Sequence, residues 1–320
     1  MTITRGQIIL FLSLVASAAL TALIVWLLSK SSAEGTVIRE QGPEHHKAKA
    51  KIPSNGGRAF MVAMFVVGFP GAVLLSDPRA IIALAAGILA GLIGLADDIL
   101  KIQKHDSSGL KARYKLPLQI VVGLMAVGAV MYLLEDTTIR LPFLTDAIDI
   151  GFWKLPIGLF IFLTIINGVN FTDGLDGLAG STVGVASIFL GLSILSTLSG
   201  SVIVPVVLFG ICIGFLPFNW NPAKIFMGDS GALTLGAALA AAAIVTALDI
   251  TILVIGLVFI IEITSVVMQV VYFRLTGGKR IFRMTPIHHA WELRGYKEPA
   301  IVFGATAIGL ISGAIGWWSA

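Results

Sequence analysis

Acidic residues beside long apolar runs are the feature of this sequence whose types and spacing best suit chemistry. Asp97 and Asp98 are adjacent at the end of one such run, and Lys101 follows one helical turn later. Two carboxylates at the end of a membrane helix are costly unless they hold a cation or a proton, and Lys101 can partly neutralise both. A solvated helix end at the interface explains this segment equally well, so both interpretations stay open at this point.

A second acidic segment, residues 167–180, follows another apolar run and contains two Asp-Gly pairs and two asparagines. Asp173 and Asp176 are three residues apart and would share a face in a helical turn. A surface turn explains one Asp-Gly pair, but polar groups at membrane depth usually mark a functional site. We therefore favour a functional segment over a simple turn.

A third candidate is Asp229, which precedes Ser230 at the start of an Ala-rich run. Both residues suit the N-cap of a helix, and capping alone is a sufficient explanation for Ser230. A helix N-terminus also attracts anions, and Asp229 can instead hold a metal ion that bridges phosphates. The segment alone does not decide between these roles.

The last polar segment contains the adjacent His288 and His289, with Arg280 and Arg283 nearby. A zinc site needs three or four ligands at suitable spacing, and neighbouring histidines on a helix point apart. We therefore favour phosphate or pyrophosphate contacts by this basic set. Glu262, in the middle of an apolar run, is a functional candidate by default, but it equally suits a neutral packing residue and we leave it out of the site.

The composition indicates which elements must position these residues. Of the 320 residues, 57% are hydrophobic and 12% are charged, whereas a soluble domain is about half apolar and a quarter charged. These values exclude a soluble enzyme and a disordered chain, and the single cysteine excludes a disulfide scaffold. No basic cluster is interleaved with aromatic residues, so we predict no nucleic-acid partner.

Ten apolar runs approach the length of about 20 residues that a helix needs to cross a bilayer. They cover residues 7–28, 59–76, 80–97, 116–134, 153–169, 178–198, 201–218, 231–248, 250–273 and 300–319. The polar segments of the sequence fall in the loops between them. We therefore predict an all-α polytopic membrane protein with ten transmembrane helices, forming a single integral-membrane domain over residues 1–320.

The basic residues predict the orientation of these spans. Of the 22 lysines and arginines, 18 fall in the odd-numbered loops. Loops rich in Lys and Arg stay in the cytoplasm, so both termini should face outward and the polar clusters should face the cytoplasm. The same face should carry all five histidines, which are His45, His46, His105, His288 and His289.

Five carboxylates at the cytoplasmic ends of separate spans, with lysines nearby, favour Mg²⁺-assisted chemistry on phosphate esters. Magnesium is commonly held by one or two carboxylates together with substrate phosphates, and phosphoryl transfer needs charge neutralisation and positioning more than a strong base. A lipid phosphate is a natural acceptor at a membrane interface. A secondary transporter is the competing class, but its carboxylates lie near the bilayer midplane between repeated halves, and no repeat is visible here.

Six motifs make the sequence resemble a known enzyme family. They are Ile38 to Pro43, Asp97-Asp98-x-x-Lys101, Gly109 to Lys115, Asn170 to Gly177, Met227 to Gly231, and Thr285 to His289. In this order they resemble the polyprenyl-phosphate N-acetylhexosamine-1-phosphate transferases, and within them the phospho-N-acetylmuramoyl-pentapeptide branch. Ten spans with both termini outside is also the topology of that family.

The resemblance implies a reaction and its partners. Phospho-MurNAc-pentapeptide would move from UDP-MurNAc-pentapeptide to undecaprenyl phosphate, giving lipid I and UMP in peptidoglycan synthesis. The family is Mg²⁺-dependent and works in the bacterial inner (cytoplasmic) membrane, where its members often form homodimers. Asp229 matches the metal ligand, and Asp97 and Asp98 match the acidic pair that orients or deprotonates the lipid phosphate.

The resemblance also assigns the binding residues. Positions that line the nucleoside pocket of the family are matched here by Asn170, Asp173, Asp176, Asn219 and Phe226. Basic residues near the diphosphate are matched by Lys49, Lys101 and Lys115, and the first two members of a histidine run by His288 and His289.

Two departures bear on the donor. The peptidoglycan branch normally has a third consecutive histidine, where this sequence has Ala290, and residues 51–57 read Lys-Ile-Pro-Ser-Asn-Gly-Gly instead of Gly-Thr-Pro-Thr-Met-Gly-Gly. Both segments help to contact the sugar and peptide of the donor. UDP-GlcNAc, as in the teichoic-acid or O-antigen branches, therefore remains the alternative donor.

Overall fold

The structure is a computed structural model that describes residues 4–30, 49, 52–104, 109–144, 146–197 and 201–320. The motif at residues 38–43, together with His45, His46 and His105, lies outside the described residues. In the part that is described, helices dominate. They are α1 (Arg5–Lys30), α2 (Gly57–Ala63), α3 (Phe69–Leu74), α4 (Pro78–Lys104), α5 (Ala112–Leu133), α6 (Lys154–Thr172), α7 (Leu178–Thr197), α8 (Ile203–Asn219), α9 (Gly228–Ile244), α10 (Thr251–Ile255), α11 (Leu257–Leu275), α12 (Ile287–Glu292) and α13 (Glu298–Trp318).

Eight helical segments among the described residues are long and apolar enough to cross a membrane. They are Arg5–Lys30, Gly57–Leu74, Pro78–Lys104, Ala112–Leu133, Gly151–Thr172, Leu178–Ser196, Leu257–Leu275 and Glu298–Trp318. The remaining two predicted spans correspond to α8 and α9, which have 17 residues each. Both are shorter than the length of about 20 residues that a straight crossing needs. The prediction of a polytopic helical protein is confirmed, and eight of its ten spans meet the length criterion.

Two predicted spans are not continuous α-helices. Met64–Gly68 forms a π-helical turn between α2 and α3, next to Pro70, whose ring nitrogen cannot donate a backbone hydrogen bond. The predicted span over residues 250–273 is wrong as a single helix, because α10 ends at Ile255 and Gly256, where ψ is 27°, separates it from α11. An added Cβ at Gly256 would lie 2.9 Å from the carbonyl oxygen of Ile252, so only a residue without a side chain fits this break without a shift of its neighbours.

Helix α9 lies at the centre of the molecule, and every residue from Ser230 to Ile244 is buried. Its sequence is mainly alanine with a few glycines and leucines, which allows neighbouring helix backbones to approach closely. At its C-terminal end, Nζ of Lys154 donates to the carbonyl oxygen of Ile244 (3.4 Å) and Nε of Arg79 to that of Val245 (3.1 Å). Cations at this end complement the exposed carbonyl groups of a helix.

A short β-hairpin was not predicted by the sequence patterns. Strands β1 (Thr138–Arg140) and β2 (Ala147–Asp149) pair antiparallel, with Ile139 opposite Ile148. The hairpin lies in the loop between α5 and α6, far along the chain from the acidic clusters. It is anchored to α13, because the backbone N–H of Phe143 donates to the carbonyl oxygen of Ser319 over 2.6 Å.

Candidate active site

The acidic pair of α4 reaches the start of α9 because the two helices pack backbone to backbone. The contact is made at Gly94, where an added Cβ would clash with the carbonyl oxygen of Asp229. Any larger residue would separate the helices. One turn beyond Gly94, Asp97 and Asp98 are buried against the N-terminus of α9.

Asp98 caps helix α9 from outside that helix. Its Oδ1 accepts the backbone N–H of Asp229 (3.0 Å) and its Oδ2 that of Ser230 (2.9 Å). The interpretation of Ser230 as the N-cap is wrong, since its Oγ donates to the carbonyl oxygen of Met227 over 3.4 Å instead. Each oxygen of Asp98 therefore accepts a hydrogen bond from an N–H group in the first turn of α9. The negative charge of the carboxylate also interacts favourably with the positive end of the helix dipole.

Asp229 is the centre of the polar cluster. Its Oδ2 lies 2.6 Å from Nζ of Lys101 and 2.8 Å from Nζ of Lys115, while its Oδ1 accepts a hydrogen bond from Nδ2 of Asn170 over 2.8 Å. These partners come from α4, α5 and α6. Residues that are far apart in the sequence thus converge on one carboxylate, in line with the prediction that the polar groups at the ends of separate spans lie together.

Asp97 links the cluster to the loop that precedes α5. Its Oδ1 accepts the backbone N–H of Leu110 (2.6 Å), and its Oδ2 lies 2.5 Å from Nζ of Lys101. Lys101 is 3.9 Å from Oδ1 of Asp98. The prediction that Lys101 neutralises the acidic pair is confirmed, and the structure adds that the same ammonium reaches Asp229.

The donor set of this cluster fits a hard divalent cation. One oxygen from each of Asp97, Asp98 and Asp229 lies within 4.8 Å of the others. Carboxylate oxygens are the ligands that Mg²⁺ prefers, usually with water and substrate phosphates completing its shell. The ammonium group of Lys101 lies near all three carboxylates and that of Lys115 near Asp229, so both compensate negative charge in this cluster.

The Asp-Gly segment is a turn between α6 and α7, and not the helical turn in which its aspartates would share a face. Asp173 is partly buried directly after α6. Burial, together with the negative charges of Asp229 and Asp98, raises the pKa of Asp173 to about 8. The side chain is therefore neutral at pH 7 and can donate a hydrogen bond.

Asp176 lies in a separate network with Lys49. Its Oδ1 is 2.7 Å from Nζ of Lys49, and its Oδ2 accepts hydrogen bonds from the backbone N–H of Ala223 (3.0 Å) and from Nδ2 of Asn221 (3.2 Å). Glu298, at the start of α13, lies 2.7 Å from the same ammonium. Burial alone would lower the pKa of Lys49, but the hydrogen bonds and charges of the two carboxylates raise it above its usual value.

Asn219 and Phe226 hold the loops beside these clusters. Oδ1 of Asn219 accepts the backbone N–H of Gly177, and its Nδ2 donates to the carbonyl oxygen of Ile225, both over 3.0 Å. The backbone of Phe226 bonds to Pro53 (2.8 Å) and Gly56 (3.0 Å). Asn219 thus joins the Asp-Gly turn to the segment that leads into α9, and its contacts are structural.

The histidine pair packs against the Asp-Gly turn. The imidazole rings of His288 and His289 lie 4.2 Å apart between centroids, so the expectation that they point apart is wrong. His288 is buried, and an added Cβ at Gly174 would clash with its Nε2. Nδ1 of His288 is 3.1 Å from Oε2 of Glu262, and Nδ1 of His289 is 2.6 Å from Oε2 of Glu292. Arg280 and Arg283 are both exposed.

The structure joins the predicted residues into two groups and adds carboxylates that sequence reasoning missed. Around Asp229 lie Asp97, Asp98, Lys101, Lys115 and Asn170, and around Lys49 lie Asp176 and Glu298. Glu262 was set aside although a carboxylate inside a span was the signal that marks a site. Glu292 and Glu298 were missed because a carboxylate near a short loop carries no spacing signal of its own.

Comparisons with known proteins bear directly on this geometry. Residues 80–247, which include Asp97, Asp98 and Asp229, match the sequence model of glycosyl transferase family 4. The chain belongs to this family. Three relatives are each described as a phospho-N-acetylmuramoyl-pentapeptide-transferase. They are 39% identical over 295 residues in Desulfitobacterium hafniense (88% of each chain), 42% over 277 residues in Desulforamulus reducens (84% and 82%), and 35% over 319 residues in Shouchella clausii (96% and 95%).

These matches confirm the resemblance that the motifs indicated. They cover most of the chain and of each relative, so the chain stands among the phospho-N-acetylmuramoyl-pentapeptide-transferases of glycosyl transferase family 4. Within that family, the cluster around Asp229 lies inside the matched segment, whereas Lys49 and the histidine pair lie outside residues 80–247.

Proposed function

We propose that this protein transfers phospho-MurNAc-pentapeptide from UDP-MurNAc-pentapeptide to undecaprenyl phosphate, giving lipid I and UMP. The observation that carries the proposal is the identity of 35–42% to transferases of that name over 84–96% of the chain. The clustering of carboxylates and lysines around Asp229 suits the chemistry of that reaction. The product is the first lipid-linked precursor of peptidoglycan.

The reaction exchanges one phosphoanhydride bond for another. An oxygen of the lipid phosphate forms a bond to the phosphorus that carries the sugar, and the bond from that phosphorus to the bridging oxygen of UMP breaks. Negative charge grows on the leaving UMP oxygen, and ammonium groups stabilise it. Lys101 and Lys115 are close enough together, through Asp229, to serve this purpose.

The attacking phosphate needs little help to lose its proton. A phosphate monoester has a second pKa of about 6, so it is mostly a dianion at neutral pH. Both oxygens of Asp98 accept backbone N–H groups, and Asp97 bonds to Leu110 and Lys101. These two aspartates accordingly position the cluster and balance its charge, and they do not act as general bases.

Magnesium is the cofactor that the donor set favours, with Asp229 as a ligand and Asp97 and Asp98 beside it. When bound, Mg²⁺ would supply charge neutralisation to the diphosphate of the donor. Asp229 itself is held in position by residues of the chain, because Asn170 contacts one of its carboxylate oxygens and Lys101 and Lys115 contact the other.

The donor would lie between the Asp229 cluster and the histidine pair. Asp173 is neutral at pH 7 and can donate a hydrogen bond to a nucleoside carbonyl. Asn170, in the last turn of α6, and Asp176, in the same turn as Asp173, flank it. Lys49 would supply an ammonium group, and the two histidines imidazole groups, for contacts to the diphosphate and the sugar. Asn219 and Phe226 support this pocket by holding its loops.

The cellular setting follows from the same proposal. We propose ten spans in a single domain over residues 1–320, with both termini outside and the active site on the cytoplasmic face, in the bacterial inner membrane. In this proposal α8 and α9 are the two shorter spans, and α9 is buried from Ser230 to Ile244. A homodimer stays a prediction from the resemblance.

Two departures in the sequence leave a second donor as the alternative. Ala290 stands where the peptidoglycan branch has a third histidine, and residues 51–57 depart from the motif of that branch. UDP-GlcNAc, with a polyprenyl phosphate acceptor, is that alternative donor.

A purified-protein assay tests the proposal. The protein is mixed with undecaprenyl phosphate and UDP-MurNAc-pentapeptide, and both UMP and the lipid product are quantified with and without Mg²⁺. We expect stoichiometric UMP and lipid I, both abolished by a chelator and by Asp229→Ala. Absence of UMP and lipid product under all conditions would contradict the transferase, and full activity of Asp229→Ala would contradict its role as metal ligand.

A further inference from the structure

Glu298 contacts the ammonium of Lys49 with both of its carboxylate oxygens, although Glu298 belongs to none of the sequence motifs. Its Oε1 lies 2.7 Å and its Oε2 2.8 Å from Nζ of Lys49. Glu298 is buried at the first residue of α13. A carboxylate that approaches one ammonium with both oxygens fixes that ammonium in position.

The same carboxylate also contacts the Asp-Gly turn. Oε2 of Glu298 accepts a hydrogen bond from the backbone N–H of Asp176 over 3.4 Å and one from Nδ2 of Asn221 over 3.3 Å. Asp176 itself is engaged by Lys49, Asn221 and Ala223. Glu298 therefore connects the start of the last helix, the turn between α6 and α7, and the segment before α9.

We propose that Glu298 is a positioning residue that acts on the donor through Lys49 and Asp176. It would hold the ammonium of Lys49 at the edge of the nucleoside pocket and fix the backbone of the turn that carries Asp173. The inference rests on the proposed function, because Lys49 has a substrate to meet only if the protein takes a nucleotide-linked donor.

A different explanation for this carboxylate is local helix stability. An acidic residue in the first turn stabilises a helix through its dipole, and this effect needs neither Lys49 nor a nucleotide. The contacts of Glu298 argue against that as its main role, since both oxygens are directed at a residue 249 positions away in the sequence. The two explanations predict different couplings between Glu298 and Lys49.

A double-mutant cycle tests the inference. Glu298→Gln, Lys49→Met and the double variant are purified, and the donor KM, the kcat and the dissociation constant of UMP are measured for each. Hydrogen bonds to charged groups are strong enough for the loss of this pair to raise the donor KM and the UMP dissociation constant about tenfold. We expect kcat to change by less than about threefold, and the double variant to resemble Lys49→Met alone.

Two controls keep the result interpretable. Lys297→Met changes an exposed residue next to Glu298 and should leave both constants unaltered, and Glu298→Asp, which keeps the charge, should recover part of the loss. If the effects of Glu298→Gln and Lys49→Met multiply in the double variant, or if Glu298→Gln lowers only the unfolding temperature, the inference is wrong.

The proposed function and the inference fail in different ways. A wild-type protein that binds UMP without transferring a sugar phosphate would contradict the transferase, while the cycle on UMP binding would still decide the role of Glu298. A wild-type protein that neither transfers nor binds UMP would overturn both.

Discussion

Nδ1 of His288 lies 3.1 Å from Oε2 of Glu262, in the second turn of helix α11, and both side chains are buried, but the two atoms do not form a hydrogen bond. Nδ1 of His289, by contrast, is hydrogen-bonded to Oε2 of Glu292 over 2.6 Å. A carboxylate on Nδ1 orients an imidazole ring and leaves the other nitrogen to face the site. For His288 that nitrogen faces Gly174 in the Asp-Gly turn. The intramembrane glutamate therefore lies against the buried ring of His288.

We expect removal of this carboxylate to reduce activity without removing the histidine. Glu262→Leu should lower kcat/KM about 10- to 100-fold, which is the range for carboxylates that orient metal-bound histidines. Glu262→Gln retains an oxygen within reach and should lose less. The assay is donor-dependent UMP release, with Glu135→Gln in the loop after α5 as a control. Equal activities of Glu262→Leu and wild type would show that His288 needs no partner.

The role of Asp98 as a cap predicts a particular pH dependence. Asp98→Asn keeps one acceptor for the two N–H groups of α9, so it should lower kcat by a similar factor at every pH from 6 to 9. A general base would behave differently, because the lipid phosphate loses its own proton above about pH 6. The measurement is kcat against pH for both proteins. Recovery of the variant at high pH would mean that Asp98 removes a proton.

We expect donor binding to weaken in alkaline solution because of the raised pKa of Asp173. Its pKa of about 8 means that it is neutral below that pH and negative above it. Ionisation places a negative charge near Asp229 and Asp98, where the donor diphosphate must also bind. The donor KM should therefore rise above pH 8, by up to about tenfold per pH unit, and Asp173→Asn should flatten this rise. An unchanged alkaline profile in the variant would exclude Asp173 as its cause.

The buried pair Lys154–Asp249 predicts a stability effect far from the active site. Nζ of Lys154 lies 2.6 Å from Oδ2 of Asp249, and both side chains are fully buried. Lys154→Met should destabilise the protein by about 3–5 kcal/mol, because it leaves a buried carboxylate uncompensated. Lys154→Met with Asp249→Leu should recover much of the loss. Thermal unfolding of the protein in detergent measures both, and a double variant less stable than Lys154→Met would contradict this account.

Much of the fold could be predicted from the sequence because membrane spans carry a strong signal. Long apolar runs fixed the approximate bounds of the eight segments that meet the length criterion. The break at Gly256 and the π-helical turn near Pro70 were missed, because both depend on backbone geometry inside a run that is apolar throughout. The hairpin at Thr138–Arg140 was missed because three-residue strands give too few residues for an alternating pattern.

The sequence predicted which residues belong to the candidate site better than it predicted which residues they contact. Asp97, Asp98 and Asp229 lie together, as their placement at span ends suggested. That Asp98 caps α9 could not be predicted, since it depends on the close approach of α4 at Gly94. The partners of Lys49 and His288 were missed for the same reason, because Glu298 and Glu262 reach them only through tertiary packing.

The choice of donor is the central claim, and one comparison tests it most directly. Purified protein with undecaprenyl phosphate and Mg²⁺ is given UDP-MurNAc-pentapeptide or UDP-GlcNAc at equal concentration, and the lipid product of each is quantified. The account predicts lipid I from the first donor and little or no product from the second. Lipid product from UDP-GlcNAc alone would contradict it.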